Sequence, residues 1–175
     1  MEIIETQLEE VFLIKPDIFE DFRGDYVMVY NENLYAREIY DRTGIDIRFV
    51  EHDVSTSTKG VLRGIHYDPK CWKINQCLYG RIYHVVVDCD VESPTFGKWQ
   101  AFILSDRNRY QLLKHPRYGN SFLVLSDYAV FMYYQSEYYD PARQKTFMWN
   151  DPRFNIWWPI KNPIVSQRDE EGHYV

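Results

Sequence analysis

From residue 45 onward, apolar and polar positions alternate in short runs separated by turn residues. Residues 47–55, 60–68, 74–80, 81–90, 98–105, 109–116, 120–127 and 129–139 each read as a strand. Upstream, residues 9–15 predict a first strand closed by Pro16, and residues 26–30 a second one after a polar turn around Arg23-Gly24. Residues 31–44 read as a short helix, with Asn31 as its N-terminal cap and Gly44 just past its end. Strands at this close spacing predict an antiparallel sandwich or closed roll, not βαβ units. The tail from residue 147 is aromatic and broken by prolines, and is expected to wrap the barrel. One domain over residues 1–175 is expected, all-β, with one or a few short helices.

Composition adds three constraints. Aromatics make up 17% of the chain, with 15 Tyr, 10 Phe and 5 Trp; such side chains favour strands and line ligand pockets. A net charge of -6 argues against a general nucleic-acid binder, yet leaves room for a local Arg/Lys cluster that holds a phosphorylated ligand. Cys71, Cys77 and Cys89 are odd in number and lack CxxC spacing, which fits reduced thiols and a cytoplasmic protein. No basic-then-apolar leader and no 18-residue apolar run occur, so neither a signal peptide nor a membrane span is expected.

Chemistry concentrates in residues 61–73, where Arg63, His66 and Lys73 fall close together after a strand-like run. A metal site, an anion pocket and an acid/base centre are the competing readings. A metal site on a small β-roll needs two histidines at i and i+2, because alternation puts that pair on one face. No HxH occurs, and His52, His84, His115 and His173 stand singly. An anion pocket suits Arg63. A lone histidine on a strand is more often a satisfied structural residue than a catalyst, so on these residues alone the role of His66 stays open.

The elements "FEDFRGDYV" (19–27), "GVLRGIHY" (60–67), Lys73, "VVVDCDVESPTFGKW" (85–99), "FLVLSDYAVFMY" (122–133), "EYYDP" (137–141), "WNDP" (149–152), "IWWP" (156–159) and "PIVSQRD" (163–169) run nearly end to end. In this order the chain resembles the nucleotide-sugar 3,5-epimerases of the deoxysugar pathways, such as dTDP-4-dehydrorhamnose 3,5-epimerase. The resemblance implies a cupin-type jelly roll without metal or redox cofactor, usually a homodimer that exchanges an N-terminal strand. It implies a nucleotide-diphospho-sugar substrate, with His66 as general base, Asp169 as its carboxylate partner, Tyr133 as the opposing acid, and Lys73 near the C4 oxygen. Arg23 and Arg63 match arginines at the diphosphate and sugar, and Phe19, Tyr138 and Arg168 fall at substrate-side positions.

Three positions depart from the family pattern. Asn120 replaces a histidine, His84 replaces the aspartate that pairs with it, and Met28 stands where many relatives carry glutamate. Asn120 and His84 are thus expected to form a rebuilt polar contact to the sugar. Asparagine hydrogen-bonds but carries no titrating proton. The combination is similar to a branch acting on GDP-linked 4-keto-6-deoxyheptoses in capsular polysaccharide synthesis. A dTDP-linked hexose substrate is the alternative, followed by a 3,4-ketoisomerase and a non-catalytic sugar-nucleotide-binding protein.

Overall fold

A computed structural model describes residues 1–173. In chain order its elements are β1 (Glu2–Glu5), β2 (Val11–Lys15), β3 (Ile18–Asp21), β4 (Gly24–Val27), α1 (Glu32–Thr43), β5 (Glu51–Thr58), β6 (Leu62–Tyr67) and β7 (Lys73–Tyr79). Then follow β8 (Arg81–Asp88), β9 (Trp99–Ser105), β10 (Gln111–Lys114), β11 (Tyr118–Val124), β12 (Tyr128–Gln135), β13 (Lys145–Thr146) and α2 (Gln167–Glu170). One sheet has the order β1-β2-β10-β7-β12-β5, the other β13-β6-β11-β8-β9, and β3-β4 form a separate hairpin. The pairings within the sheets are antiparallel, and the two large sheets stack as a cupin-type jelly roll.

The interior between the sheets follows from period-2 alternation. Ile82 and Val86 of β8 and Phe122 and Val124 of β11 meet Leu112 of β10, Cys77 of β7 and Phe131 of β12. The Phe122 and Phe131 rings, one from each sheet, lie 4.4 Å apart. Burying each such side chain is worth roughly 1.5–3 kcal/mol.

The strand β7 is buried on both faces, because α1 covers the outer side of its sheet. Tyr35 and Ile39 of the helix pack against Ile14, Ile74, Leu113 and Tyr134. The helix is bounded as its sequence predicts: Asn31 Oδ1 accepts from Leu34 N at 3.0 Å, and Gly44 adopts φ 70°, its N–H donating to Tyr40 O.

Some boundaries differ from the sequence expectation. The strand expected at 26–30 ends at Val27 and begins at Gly24, drawn back by pairing with β3 across the Arg23-Gly24 turn. Residues 47–50 are not strand; Ile47 instead packs with α1. Strands β1, β3 and β13 were not expected. All three cysteines are buried and free.

Candidate active site

Two strands on facing sheets carry the central pair. His66 lies on β6 and Tyr133 on β12, and both border one cavity of about 230 Å³ between the sheets. Arg63, Lys73, Asn120 and Arg168 also line it. Six residues expected to act together from sequence are thus gathered from β6, β7, β11, β12 and α2.

The RGxH spacing has a steric cause. Gly64 sits at φ 104°, where a Cβ would stand 2.6 Å from the backbone oxygen of Asn120. Glycine lets β6 press against β11, and His66 pairs directly opposite Asn120. Asp169 arrives from far along the chain. Ser166 caps α2 and its hydroxyl accepts from Asp169 N, which sets the carboxylate against the histidine. His66 Nε2 donates to Asp169 Oδ1 at 2.8 Å. That bond fixes the tautomer and leaves Nδ1 to receive a proton. Burial pushes the Asp169 carboxyl up, but the His66 hydrogen bond and charge, the Gly64 N–H and the Ser166 hydroxyl outweigh it, leaving the group below its ordinary value.

On the facing sheet, Lys73 Nζ stands 5.2 Å from the centroid of the Tyr133 ring. Burial lowers the Lys73 pKa, opposed by the charges of Cys71, Asp68, Asp53 and Glu51. Burial, then the charges of Asp53 and Glu51, push the Tyr133 phenol up to about 12, so it holds its proton at neutral pH. Arg63 is steadied by its Nε donating to Ser57 Oγ at 3.0 Å and Nη2 donating to Thr56 O at 3.2 Å. Arg168 Nε donates to Thr146 Oγ1 at 2.9 Å.

The remaining sequence-predicted residues, Asn120 apart, lie outside the cavity lining. His84 is fully buried behind the cavity. Asn75 Nδ2 donates to its Nε2 at 3.1 Å, while burial and then the Lys114 charge drive its pKa down to about 3. It is therefore a neutral floor residue. Asn120 is 9% exposed, and its Oδ1 has no hydrogen-bond partner. Phe19 and Arg23 sit on the exposed β3-β4 hairpin, Arg23 paired with Asp21. Tyr138 points outward at 70% exposure, and its neighbour Tyr139 borders the cavity instead.

Gln135 and Ser55 also border the cavity and were missed. Gln135 was findable, since it stands two residues beyond Tyr133 on the same strand and shares its face. Ser55 became visible only once β5 paired with β12. Among the described residues no group of three His, Cys, Asp or Glu is placed to hold a metal ion, and no helix is long and apolar enough to cross a membrane.

The sequence matches the family described as dTDP-4-dehydrorhamnose 3,5-epimerase over residues 5–175. It is 35% identical to the dTDP-4-dehydrorhamnose 3,5-epimerase of Shigella flexneri, covering 98% of this chain and 94% of that protein. It is 34% identical to a dTDP-4-dehydrorhamnose 3-epimerase of Streptomyces niveus, over 94% of this chain and 79% of that one. Among solved structures, the dTDP-6-deoxy-D-glucose-3,5-epimerase of Legionella pneumophila in complex with dTDP-4-keto-L-rhamnose superimposes with a TM-score of 0.91. It is 35% identical, covering 98% of this chain and 90% of that chain.

Proposed function

Because the chain belongs to the dTDP-4-dehydrorhamnose 3,5-epimerase family, we propose that it inverts C3, C5 or both in a nucleotide-diphosphate-linked 4-keto-6-deoxy sugar. One observation carries this reading: His66 and Tyr133 face a shared cavity from opposite sheets. Protons at C3 and C5 are acidic because the C4 ketone stabilises the enolate. Inversion needs a base on one face of the ring and an acid on the other.

His66 Nδ1 takes the carbon-bound proton, and Asp169 stabilises the resulting imidazolium. Lys73 supports the negative charge that grows on O4. Tyr133 returns a proton to the opposite face. Arg63, with Arg168 at the rim, offers planar donors to sugar and diphosphate oxygens.

The relatives' names support a dTDP-linked substrate, and that is the reading adopted for the nucleotide. A GDP-linked heptose remains as the second reading, favoured by the sequence departures at Asn120, His84 and Met28. A homodimer belongs to the same proposal. On the β3-β4 hairpin, Phe19, Phe22 and Tyr26 are 64%, 97% and 68% exposed, which supports a second copy packing there and receiving Phe19 and Arg23.

The test is incubation with dTDP-4-keto-6-deoxyglucose and, separately, GDP-4-keto-6-deoxyheptose in D₂O. Mass spectrometry counts the exchanged centres and NMR identifies the inverted ones. Exchange and inversion of the dTDP sugar are expected. Turnover of the GDP sugar alone selects the second reading, and exchange with neither sinks the epimerase.

A further inference from the structure

We infer that Asp53 is the proton relay that recharges Tyr133 between turnovers, connecting the half-buried phenol to solvent on the side away from His66. This rests on the reading of Tyr133 as the acid. Each inversion leaves the enzyme out of balance. The carbon-bound proton moves to His66, while the Tyr133 O–H bond breaks as the new C–H bond forms. An imidazolium and a phenolate remain. His66 returns its proton to solvent through the cavity mouth, and Tyr133 must obtain one.

The geometry around Tyr133 offers one carboxyl for that step. Asp53 of β5 pairs directly opposite Tyr133 of β12, with Asn75 of β7 on the other side. The Asn75 amide carries no acidic proton to transfer, and Lys73 lies over the face of the phenol ring. Asp53 is half-buried, so its carboxyl borders both the interior and water. Gln135 Nε2 donates to Asp53 Oδ2 at 2.9 Å and to Glu51 Oε1 at 2.8 Å, tying the two carboxylates together.

The groups facing Asp53 are Tyr133 and Gln135 on β12, Glu51 on its own strand and Lys73 on β7. Burial and the Glu51 charge raise the Asp53 pKa above its ordinary value, opposed by Lys73 and the Tyr133 hydroxyl. Its protonated form is therefore reached more readily than that of a free aspartate. In the relay the Asp53 O–H bond breaks as the phenol O–H re-forms. The carboxylate then takes a proton from hydronium or a buffer acid.

The test uses Asp53→Asn, which keeps an oxygen for Gln135, with whichever sugar nucleotide the wild-type protein turns over. Deuterium wash-in without inversion reports His66, and inversion reports Tyr133. Asp53→Asn is expected to keep wash-in, to lose inversion by on the order of tenfold or more, and to regain inversion as acetate is added at fixed pH. Asp53→Glu is expected to retain most of the inversion. Unchanged inversion in Asp53→Asn overturns the relay, and so does a loss that acetate does not restore. Tyr133→Phe separates the two levels: if that variant inverts normally, the acid assignment itself falls, whatever Asp53 does.

Discussion

His66 and Asp169 stand 103 residues apart in the chain and share a 2.8 Å hydrogen bond from Nε2 to Oδ1. The carboxylate is almost completely buried, so its charge acts on the ring with little screening by water. Asp169→Asn keeps the shape and removes the charge that supports the imidazolium. Deuterium exchange is expected to fall by about 10²–10⁴-fold, and His66→Asn is expected to abolish it. Near-normal exchange in His66→Asn removes that residue as the base.

Tyr133→Phe leaves the base in place and removes the opposing proton. Exchange into recovered substrate is expected to continue, while inversion falls by about 10²-fold or more. Time-resolved NMR in D₂O separates the two signals. Parallel loss of both would assign Tyr133 to binding instead.

On the proposed mechanism, Lys73→Met removes the cation that supports the developing O4 oxyanion. A fall in kcat of about 10²–10³-fold is expected, with KM changing less than kcat. A rise in KM alone would make Lys73 a ground-state contact.

Lys114 stands directly opposite Lys73 on β10, fully buried, with Nζ donating to Tyr118 O at 2.6 Å. Burial, and then the Lys73 charge, hold its pKa down at about 7, whereas the unfolded chain keeps the ordinary lysine value. Between those values the unfolded state binds more protons, so folding gains stability as pH rises. Relative to Lys114→Met, the wild-type protein is expected to gain ~1.4 kcal/mol per pH unit between pH 7 and 9. Paired denaturant titrations at the two pH values measure it, and a constant difference would mean that Lys114 stays charged.

His84 acts at the other end of the pH range. Its pKa of about 3 lies below the ordinary histidine value, so the unfolded chain takes up the proton first as pH falls below 6.5. Stability is expected to drain by ~1.4 kcal/mol per pH unit from there toward pH 3. His84→Gln should show a shallower loss of melting temperature between pH 6.5 and 4.5. An equally steep loss places the acid sensitivity elsewhere.

An antiparallel sandwich or closed roll was legible because β5 to β12 come as short runs separated by turn residues, whereas the jelly roll itself was implied by the family resemblance. The helix was legible from Asn31 and Gly44, whose capping chemistry is local. Strands β1 and β3 were not, since "EIIE" and "IFED" are four residues long and carry no buried face to impose a period. At the site, RGxH and SQRD were readable as motifs, but their contact depends on β6 meeting α2, which no local pattern encodes. Tyr138 was placed at the substrate side by the resemblance alone, while Tyr139 at the cavity edge was not legible, because which of two adjacent tyrosines turns inward depends on the loop after β12. Glu51 and Asp53 escaped notice because they look like an ordinary solvated strand face until Gln135 and Tyr133 are placed beside them.

Phe122 and Phe131 bridge the sheets at 4.4 Å and border the cavity between base and acid. On the proposed mechanism, the gap across which a proton leaves one face of a sugar and returns to the other is a thickness, set by two rings in the interior. Stereochemical fidelity becomes a property of core volume. Phe131→Leu, which removes no proton-transferring group but takes away the ring lying 5.7 Å from that of Tyr133, is expected to change the ratio of inverted to merely exchanged product.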